Sequence, residues 1–246
     1  MSKKIIIVGG HGNVSLRLAR LLSTSHAVTS LIRNPEHQQD ILDTSAKPLL
    51  LSLEDVSVPD LSKAFEGYDV VYFSAGAGAN GGEERTKKVD YEGAVKVFDA
   101  IEGITTSKPR LILVSAVDIR DPEKVPAHYA SFNEDDIARS KRIRAVIPAY
   151  MHWKYEADKN LVKRDAFKWT IVRPGGLMNN PGTGKADIGR THLEKTISRD
   201  DVAKVLALLV DREDAAGLAI DVVGGDNPIE EALNAFIEKG ETDFLG

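Results

Sequence analysis

The feature that most constrains the fold of this 246-residue chain is an alternation of short strand-like and helix-like segments along its whole length. The strand-like segments are rich in β-branched residues, and several are apolar throughout, as strands covered on both faces should be. They cover residues 4–8, 27–32, 48–53, 69–74, 110–115, 168–172 and 218–223. The alternation predicts an α/β fold with a mainly parallel sheet flanked by helices.

The segments between the strands have the apolar spacing of amphipathic helices. After the first strand, one apolar stripe is formed by Val14, Leu18, Leu21 and Leu22. A short helix is predicted to close over residues 63–66, before Gly67, and further helices are predicted over residues 84–101, 150–164, 200–210 and 229–237. We therefore predict one doubly wound domain over residues 1–246, with ligands bound at the carboxyl ends of its strands. Residues 121–149 fit either a lid or an ordinary surface segment.

Composition argues against several kinds of site and partner. The chain has no cysteine, which rules out disulfides, thiolate metal sites and a cysteine nucleophile. Its formal net charge of −5 argues against general nucleic-acid binding, which usually needs a basic surface. No spacing of ligating residues suggests a metal site. The apolar run near the amino terminus is too short for a signal peptide or a membrane span, so we expect a cytoplasmic protein.

A glycine-rich turn follows the first predicted strand and precedes the first predicted helix. Its spacing is G-x-x-G-x-x-small, with Gly9, Gly12 and Ser15 at the three small positions. This spacing permits a tight turn, a close backbone approach to a pyrophosphate and close packing of the helix on the strand. An ordinary strand–helix turn is the alternative. The residues predicted to contact a dinucleotide here are Gly9, Gly10, His11, Gly12, Asn13 and Val14.

Arg33 follows the second strand, where NAD-specific sites usually carry an acidic residue for the ribose 2′-OH. An arginine can instead bind the 2′-phosphate of NADP through two N–H groups. We therefore predict NADP(H) as the cofactor and consider NAD less favoured, with a solvated arginine as the alternative. After the fourth strand, Ser74, Ala75 and Gly76 are small enough for the cofactor ribose to lie against the backbone.

Tyr150 and Lys154 have the Tyr-x-x-x-Lys spacing, which places both on one helix face. In this arrangement the ammonium group lowers the phenol pKa, and the phenol exchanges the proton that accompanies hydride transfer. The overlapping pair Tyr155 and Lys159 has the same spacing, so spacing alone does not choose between them. Ser115 ends the fifth strand and is a candidate hydroxyl for polarising a substrate carbonyl.

Taken together, these segments resemble the atypical short-chain dehydrogenase/reductase family, in its NmrA-like, NAD(P)-binding branch. The other segments that carry the resemblance are residues 32–35, 154–158, 170–177, 197–203 and 227–233. Their order and spacing together are far more specific than any one of them, and the resemblance covers nearly the whole chain. It implies a Rossmann fold that binds a nicotinamide cofactor.

The resemblance also implies which lysine touches the nicotinamide ribose. In the family, this lysine directly precedes an x-x-Ala-acid segment and lies about 20 residues before Arg-Pro-Gly. Lys154 occupies that position, which favours Tyr150 and Lys154 over the overlapping pair. The loop expected to run along the nicotinamide is formed by Pro174, Gly175, Gly176 and Leu177.

The carboxyl-terminal part, about residues 174–246, is expected to form a small substrate-side region of the same domain. Residues 179–184 would be a mobile substrate-side loop, and residues 198–200 would cap the helix that begins near Asp201. Three positions depart from the family pattern. Ser15 replaces a glycine, Ser52 replaces an acid, and Val117 occupies the usual Ser/Thr position.

These departures leave two functions open. The first is an NADPH-dependent oxidoreductase that acts on a small carbonyl or quinone-like molecule, with an epimerase or isomerase as a variant. The second is a non-catalytic NADP(H) redox sensor that regulates a protein partner. The Tyr150–Lys154 pair favours the enzyme, and Val117 favours the sensor.

Overall fold

The computed structural model describes residues 1–78, 82–121, 132–193 and 195–244. Its strands are β1 (Lys4–Val8), β2 (Ala27–Ile32), β3 (Lys47–Leu50), β4 (Val70–Phe73), β5 (Arg110–Val114), β6 (Trp169–Pro174), β7 (Leu177–Met178), β8 (Lys185–Ile188), β9 (Ile197–Ser198) and β10 (Ala219–Pro228). Its helices are α1 (Asn13–Leu22), α2 (Gln38–Leu42), α3 (Val58–Phe65), α4 (Gly82–Thr86), α5 (Gly93–Glu102), α6 (Glu134–Val146), α7 (Pro148–Leu161), α8 (Arg199–Leu208) and α9 (Ile229–Lys239). A π-helical segment, Lys87–Glu92, joins α4 to α5.

One eight-stranded sheet carries the fold, in the order β3-β2-β1-β4-β5-β6-β10-β8. Every neighbouring pair is parallel except β10 and β8, which are antiparallel. Strand order runs outward from β1 in one direction and from β4 in the other, so a ligand crevice is expected between these two strands. β7 and β9 form a separate two-stranded parallel sheet. The predicted doubly wound Rossmann fold is confirmed.

Both faces of the sheet are covered, which explains the continuous apolar character of β1. Ile5 and Ile7 are fully buried in a core shared with α1, α8 and α9. Ile6 and Val8 are equally buried in a second core, shared with α3, α5 and α7. Neighbouring residues of a strand point to opposite faces, so a strand between two cores needs apolar residues at every position.

The structure differs from the sequence prediction mainly after residue 120. The short strands β7, β8 and β9 were not predicted, because runs of two to four residues have too little periodicity to detect. Nor was α6, whose sequence is mostly charged and shows no apolar stripe. Residues 121–149 were predicted to be either a lid or a surface segment. Within them, residues 134–146 form this helix, and residues 122–131 lie outside the described part of the chain.

Other boundaries differ by a few residues. The helix predicted over 84–101 is continuous from α4 through the π-helical segment into α5. From residue 174 onward, the chain adds β8 and β10 to the main sheet and α8 and α9 to one core. No helix among the described residues is long and apolar enough to cross a membrane.

Candidate functional site

The glycine-rich turn lies where β1 ends beside the end of β4. Gly9 has a φ of +80°, and a Cβ added there would lie 2.6 Å from the backbone nitrogen of Ala75. A side chain is therefore excluded both by conformation and by space. The N–H of Gly12 donates to the carbonyl oxygen of Gly9 at 3.0 Å, and α1 begins at the next residue. This geometry fits a pyrophosphate bound at the start of α1.

Ser15 fills the third small position of the motif without disturbing it. It is fully buried, and its Oγ lies 3.3 Å from the point that a Cβ on Gly12 would occupy. Its departure from glycine is therefore compatible with close packing of α1 on the sheet. Of the other predicted contacts, Asn13 is exposed at the start of α1, while the side chain of Val14 is buried in the core.

A cavity of about 270 Å³ extends from this turn along the ends of β2, β3 and β4. Leu31, Leu51 and Leu53 give it an apolar wall, which suits an adenine ring. The predicted cofactor residues in its lining are Gly9, Gly10, His11, Gly12, Arg33, Ser74, Ala75 and Gly76. The structure therefore brings together residues from three strand ends around one cavity that fits the adenosine half of a dinucleotide.

Arg33 lies at the rim of this cavity and faces an acidic residue. Its Nη1 lies 2.7 Å from Oε1 of Glu54, which also contacts Arg85 at 2.9 Å and, through Oε2, Lys88 at 3.4 Å. Hydrogen bonds from Arg85 lower the pKa of Glu54, so the carboxylate is charged. A guanidinium has five N–H donors, so Arg33 keeps donors for a ligand beyond those used by Glu54.

Lys154 is buried between the ends of β4 and β5. Its Nζ lies 3.1 Å from Oδ1 of Asp90 and donates to the carbonyl oxygen of Val114 at 3.2 Å. Oδ2 of Asp90 accepts the N–H of Ala77, in the loop after β4. Asp90 therefore ties the lysine to the same loop whose first residues, Ser74, Ala75 and Gly76, line the cofactor cavity.

Tyr150 is one turn before Lys154 on α7 and is partly exposed. The Nζ of Lys154 lies 5.9 Å from the centroid of its ring, near enough for a cation–π contact. Burial raises the pKa of the Tyr150 phenol, and the positive charge of Lys154 only partly offsets this effect. Lys154 lowers the phenol pKa as expected, but burial and the nearby carboxylates raise it by more, so the net shift is upward.

Ser115 does not face open space. Ser115 is buried, and its hydroxyl donates a hydrogen bond to Oδ2 of Asp158 at 2.9 Å. Burial raises the pKa of Asp158 to about 6. Tyr150, Lys154 and Asp158 follow one another at four-residue spacing, so α7 presents one polar stripe to the end of β5.

The overlapping pair Tyr155 and Lys159 has different surroundings. Tyr155 is buried, and its ring stacks on Phe244 with centroids 6.3 Å apart. Lys159 pairs with Glu156 on the helix surface at 3.6 Å. Neither pair lines the cofactor cavity, but Lys154 is tied through Asp90 to the loop that does.

The loop of Pro174 to Leu177 is fixed to the strands around it. The carbonyl oxygen of Pro174 accepts the N–H of Val117, and the N–H of Gly175 donates to Val222, both at 2.9 Å. A Cβ on Gly175 would lie 2.9 Å from the carbonyl oxygen of Lys195. The loop thus follows the ends of β5 and β6, as a segment lying along a nicotinamide would.

The segment of residues 179–184 lies, at its carboxyl end, against the start of α8. The N–H of Gly182 donates to Asp200 at 3.1 Å, and those of Thr183 and Gly184 donate to Asp201 at 2.9 and 2.8 Å. Mobility of this loop stays a prediction. The predicted helix cap is confirmed: the hydroxyl of Ser198 accepts the N–H of Asp201 at 2.9 Å.

Sequence reasoning missed Asp90, Glu54 and Asp158. A signal for Asp90 was present, because it shares an apolar helical stripe with Ala94, Val97 and Ile101, and such an acid needs a partner. No local pattern indicated the partner, Lys154. Within the described ranges, no group of three or more His, Asp or Glu side chains is arranged to hold a metal ion.

A larger cavity, about 700 Å³, lies between residues 187–192, Lys195 and α9. It contains none of the predicted site residues. Several charged side chains around it are paired, as in Lys195 with Asp187 at 2.6 Å and Arg190 with Asp243 at 4.0 Å. The smaller cavity at the strand ends is therefore the candidate cofactor site.

The chain is similar to known NAD(P)H-binding proteins. A family model described as NAD(P)H-binding matches residues 9–213. A UPF0659 protein of Schizosaccharomyces pombe is 37% identical over 245 residues, which is 97% of each chain. An uncharacterised sugar epimerase of Bacillus subtilis, YhfK, is 33% identical over 234 residues, covering 94% of this chain and 98% of YhfK.

Two solved structures share the fold over nearly its whole length. A protein of Bacillus halodurans, provisionally described as an NAD-dependent epimerase/dehydratase, has a TM-score of 0.78 at 29% identity, covering 95% of this chain and 100% of its own. The oxidoreductase YlbE of Lactococcus lactis has a TM-score of 0.76 at 26% identity, covering 96% and 97%.

Proposed function

This chain belongs to the NAD(P)H-binding family of Rossmann proteins, of the atypical short-chain dehydrogenase/reductase type, and on that premise we propose that it is an NADPH-dependent oxidoreductase. Its proposed substrate is a small carbonyl or quinone-like molecule. The observation that carries the proposal is the buried Lys154, held by Asp90 and Val114 at the strand ends, with Tyr150 one turn away.

The choice of NADP over NAD rests on the cations at the cavity rim. Arg33 occupies the position that in NAD-specific sites is usually acidic, and Arg85 lies beside it through the shared Glu54. Glu54 brings one negative charge and contacts three cations, Arg33, Arg85 and Lys88. This group of side chains therefore has a net positive charge. A positive wall favours the extra phosphate of NADP.

The bound cofactor would supply the hydride that adds to the substrate carbon. Tyr150 would donate its phenol proton to the substrate oxygen, so that the carbonyl becomes an alcohol. The phenol is protonated at neutral pH, as a proton donor must be, and its raised pKa makes it a weak acid whose phenolate needs stabilisation. Lys154 would stabilise the phenolate that remains and hold the nicotinamide ribose.

Ser115 has a conditional part in this scheme. Its hydroxyl donates a hydrogen bond to Asp158. The hydroxyl can therefore polarise a substrate carbonyl only after it turns away from that carboxylate. We therefore assign the proton to Tyr150, and Ser115 stays a candidate second donor.

The test is a screen of small carbonyl and quinone substrates for NADPH oxidation, with wild type and Tyr150→Phe. The variant should lose about 10²- to 10⁴-fold in kcat, the usual share of a general acid, while its Kd for NADPH stays unchanged. Tyr155→Phe is the matched control, since it removes the phenol of the overlapping pair. An active Tyr150→Phe variant, or wild type that binds neither NADPH nor NADH, would contradict the proposal.

A non-catalytic NADP(H) sensor is the second candidate, and a specific observation favours it. The hydroxyl of Ser115 is engaged by Asp158, and Val117, at the usual hydroxyl position, has none. A sensor would bind NADPH, turn over no substrate in the screen and change its association with a protein partner. The names of YhfK and of the Bacillus halodurans protein suggest that the enzyme could instead be an epimerase. Adding nucleotide sugars to the same screen would test for epimerase activity.

A further inference from the structure

Two histidine rings form part of the wall of the candidate cofactor cavity. His11 belongs to the glycine-rich turn, and His37 ends a short 3₁₀ turn, Pro35–His37. Their ring centroids are 3.5 Å apart and their planes differ by 9°, so the rings are stacked face to face. Asn34 fixes the 3₁₀ turn, because its side chain accepts the N–H of Glu36 at 3.0 Å.

The pair lies close to several charged groups. On α2, Oδ2 of Asp40 is 2.7 Å from Nε2 of His11. Arg33 lines the same cavity, and its guanidinium pairs with Glu54. Arg85 lines the same cavity and also pairs with Glu54, and Glu36 accepts a hydrogen bond from Asn34 at 3.1 Å. The two imidazoles and Arg33 therefore line one cavity, in which the end of β2 is where the adenosine ribose would lie.

We propose that the His11–His37 pair is a second contact for the 2′-phosphate of NADP(H), beside Arg33, and that phosphate binding is coupled to proton uptake by the pair. This inference rests on the proposed NADP(H) function and deepens it. The pair would make nucleotide selection depend on pH.

The coupling follows from the charges. Imidazole titrates in the physiological pH range, and two protonated rings stacked at 3.5 Å repel each other. Asp40 compensates a charge on His11 but makes no such contact with His37. A 2′-phosphate brings up to two negative charges and three acceptor oxygens, so it offsets the repulsion and accepts N–H groups from protonated rings. NADH lacks this phosphate, and its binding should leave the pair unchanged.

Calorimetric titrations at about pH 6 and about pH 8 would test the inference, with two buffers of different ionisation enthalpy to count the protons taken up. The ligands are NADPH, NADH, adenosine 2′,5′-bisphosphate and AMP, which form two pairs differing in the 2′-phosphate. The proteins are wild type, His37→Phe and His37→Lys. Phenylalanine keeps a flat ring for the stack without an N–H, whereas lysine keeps a positive charge at both pH values.

The expected result has three parts. His37→Phe should bind NADPH and the bisphosphate about tenfold more weakly at the lower pH, and less than about twofold more weakly at the higher pH. Its affinity for NADH and AMP should match wild type, which also shows that the variant is folded. His37→Lys should lose most of the pH dependence of NADPH binding seen in wild type, apart from the titration of the phosphate itself, which all variants share.

His26→Phe is the matched control, because His26 precedes β2 and its ring accepts the N–H of Lys3, away from the cavity. An equal loss of NADPH affinity at both pH values, or an equal loss for NADH, would overturn the inference and leave the pair a packing feature. Failure of the proposed function would look different. Wild type would then bind neither dinucleotide, or prefer NADH at both pH values, and the inference would fall with it.

Discussion

Asp90 and Lys154 are the residues on which the geometry of the candidate site depends. Both are buried, with exposed fractions of 1% and 5%, and their charged atoms are 3.1 Å apart. A buried ammonium group without its carboxylate has lost its hydration and gained nothing in return. The carboxylate also has an effect on Tyr150, since the charge of Asp90 raises the pKa of the phenol.

Replacing Asp90 by asparagine should therefore destabilise the protein by about 3–5 kcal/mol, the usual cost of breaking a buried ion pair. The pKa of the Tyr150 phenol should fall, because one of the charges that raises it is removed. Urea denaturation measures the first effect, and a spectroscopic titration of the phenolate measures the second.

Glu92→Gln is the matched control for this prediction. Glu92 lies on the same helical stretch and pairs with Lys87 at 3.8 Å, but it is exposed. A surface pair is worth about 0–1 kcal/mol, so the control should change stability little. If Asp90→Asn behaved like the control, the buried pair would not be what holds Lys154.

At the scale of elements, α6 depends on one residue for two connections. Asn133 and Asp136 form a reciprocal cap, in which each side chain accepts the backbone N–H of the other residue. The carboxylate of Asp136 also contacts Nδ1 of His192 and accepts the N–H of Leu193, both at 2.6 Å. The helix and the segment before β9 are therefore held together through one buried side chain.

We expect Asp136→Ala to loosen both elements at once. The loss should be about 1–3 kcal/mol, because buried donors are left without a partner. Hydrogen–deuterium exchange should rise in residues 134–146 and also around residues 190–193. Asp135→Ala removes an exposed carboxylate from the same first turn and should affect neither segment. Faster exchange confined to the helix would show that the second connection contributes nothing.

At the scale of the whole molecule, buried carboxyl groups set the pH dependence of stability. Glu54 has a lowered pKa, mainly because Arg85 donates hydrogen bonds to it. Burial alone would raise the pKa of Asp136, but hydrogen bonds from His192 and two backbone N–H groups outweigh burial and lower it. Their stabilisation is gained as pH rises through about 4 and is kept above it. Burial raises the pKa of Asp158 to about 6 and that of Asp243 to about 7. The fold favours the neutral forms of these two groups, so stability falls as they ionise.

The free energy of unfolding should therefore be larger near pH 5 than near pH 8. For Asp158 alone the difference between these two pH values is about 1.4 kcal/mol, because stability is lost up to its folded-state pKa of about 6 and only about one pKa unit of that loss lies above pH 5. Urea denaturation across this range measures it. The double variant Asp158→Asn with Asp243→Asn should lose most of the difference, whereas Asp226→Asn, at an exposed position, should keep it. A wild-type free energy of unfolding that is the same at pH 5 and pH 8 would contradict the prediction.

Several features of this protein were determined by its sequence. The strand–helix alternation determined the Rossmann fold, because several strand segments are apolar throughout and require cover on both faces. The spacing of Gly9, Gly12 and Ser15 predicted a turn that only small residues can form, and the structure has it. These signals are local: each is contained within a few consecutive residues, where conformation and periodicity are readable.

Only the tertiary structure decided how the charged residues are paired. Ser115 and Asp158 are 43 residues apart in the chain, and Arg33 and Glu54 are 21 apart, yet each pair is in hydrogen-bond contact. Packing α7 against β5 buries Asp158 beside Ser115, and the adjacent ends of β2 and β3 bring Glu54 to Arg33. The sign of the pKa shift at Tyr150 likewise depends on burial and on Asp90, which folding supplies. Electrostatic pairing depends on distance in space and on loss of water, and a linear sequence specifies neither until the chain is packed.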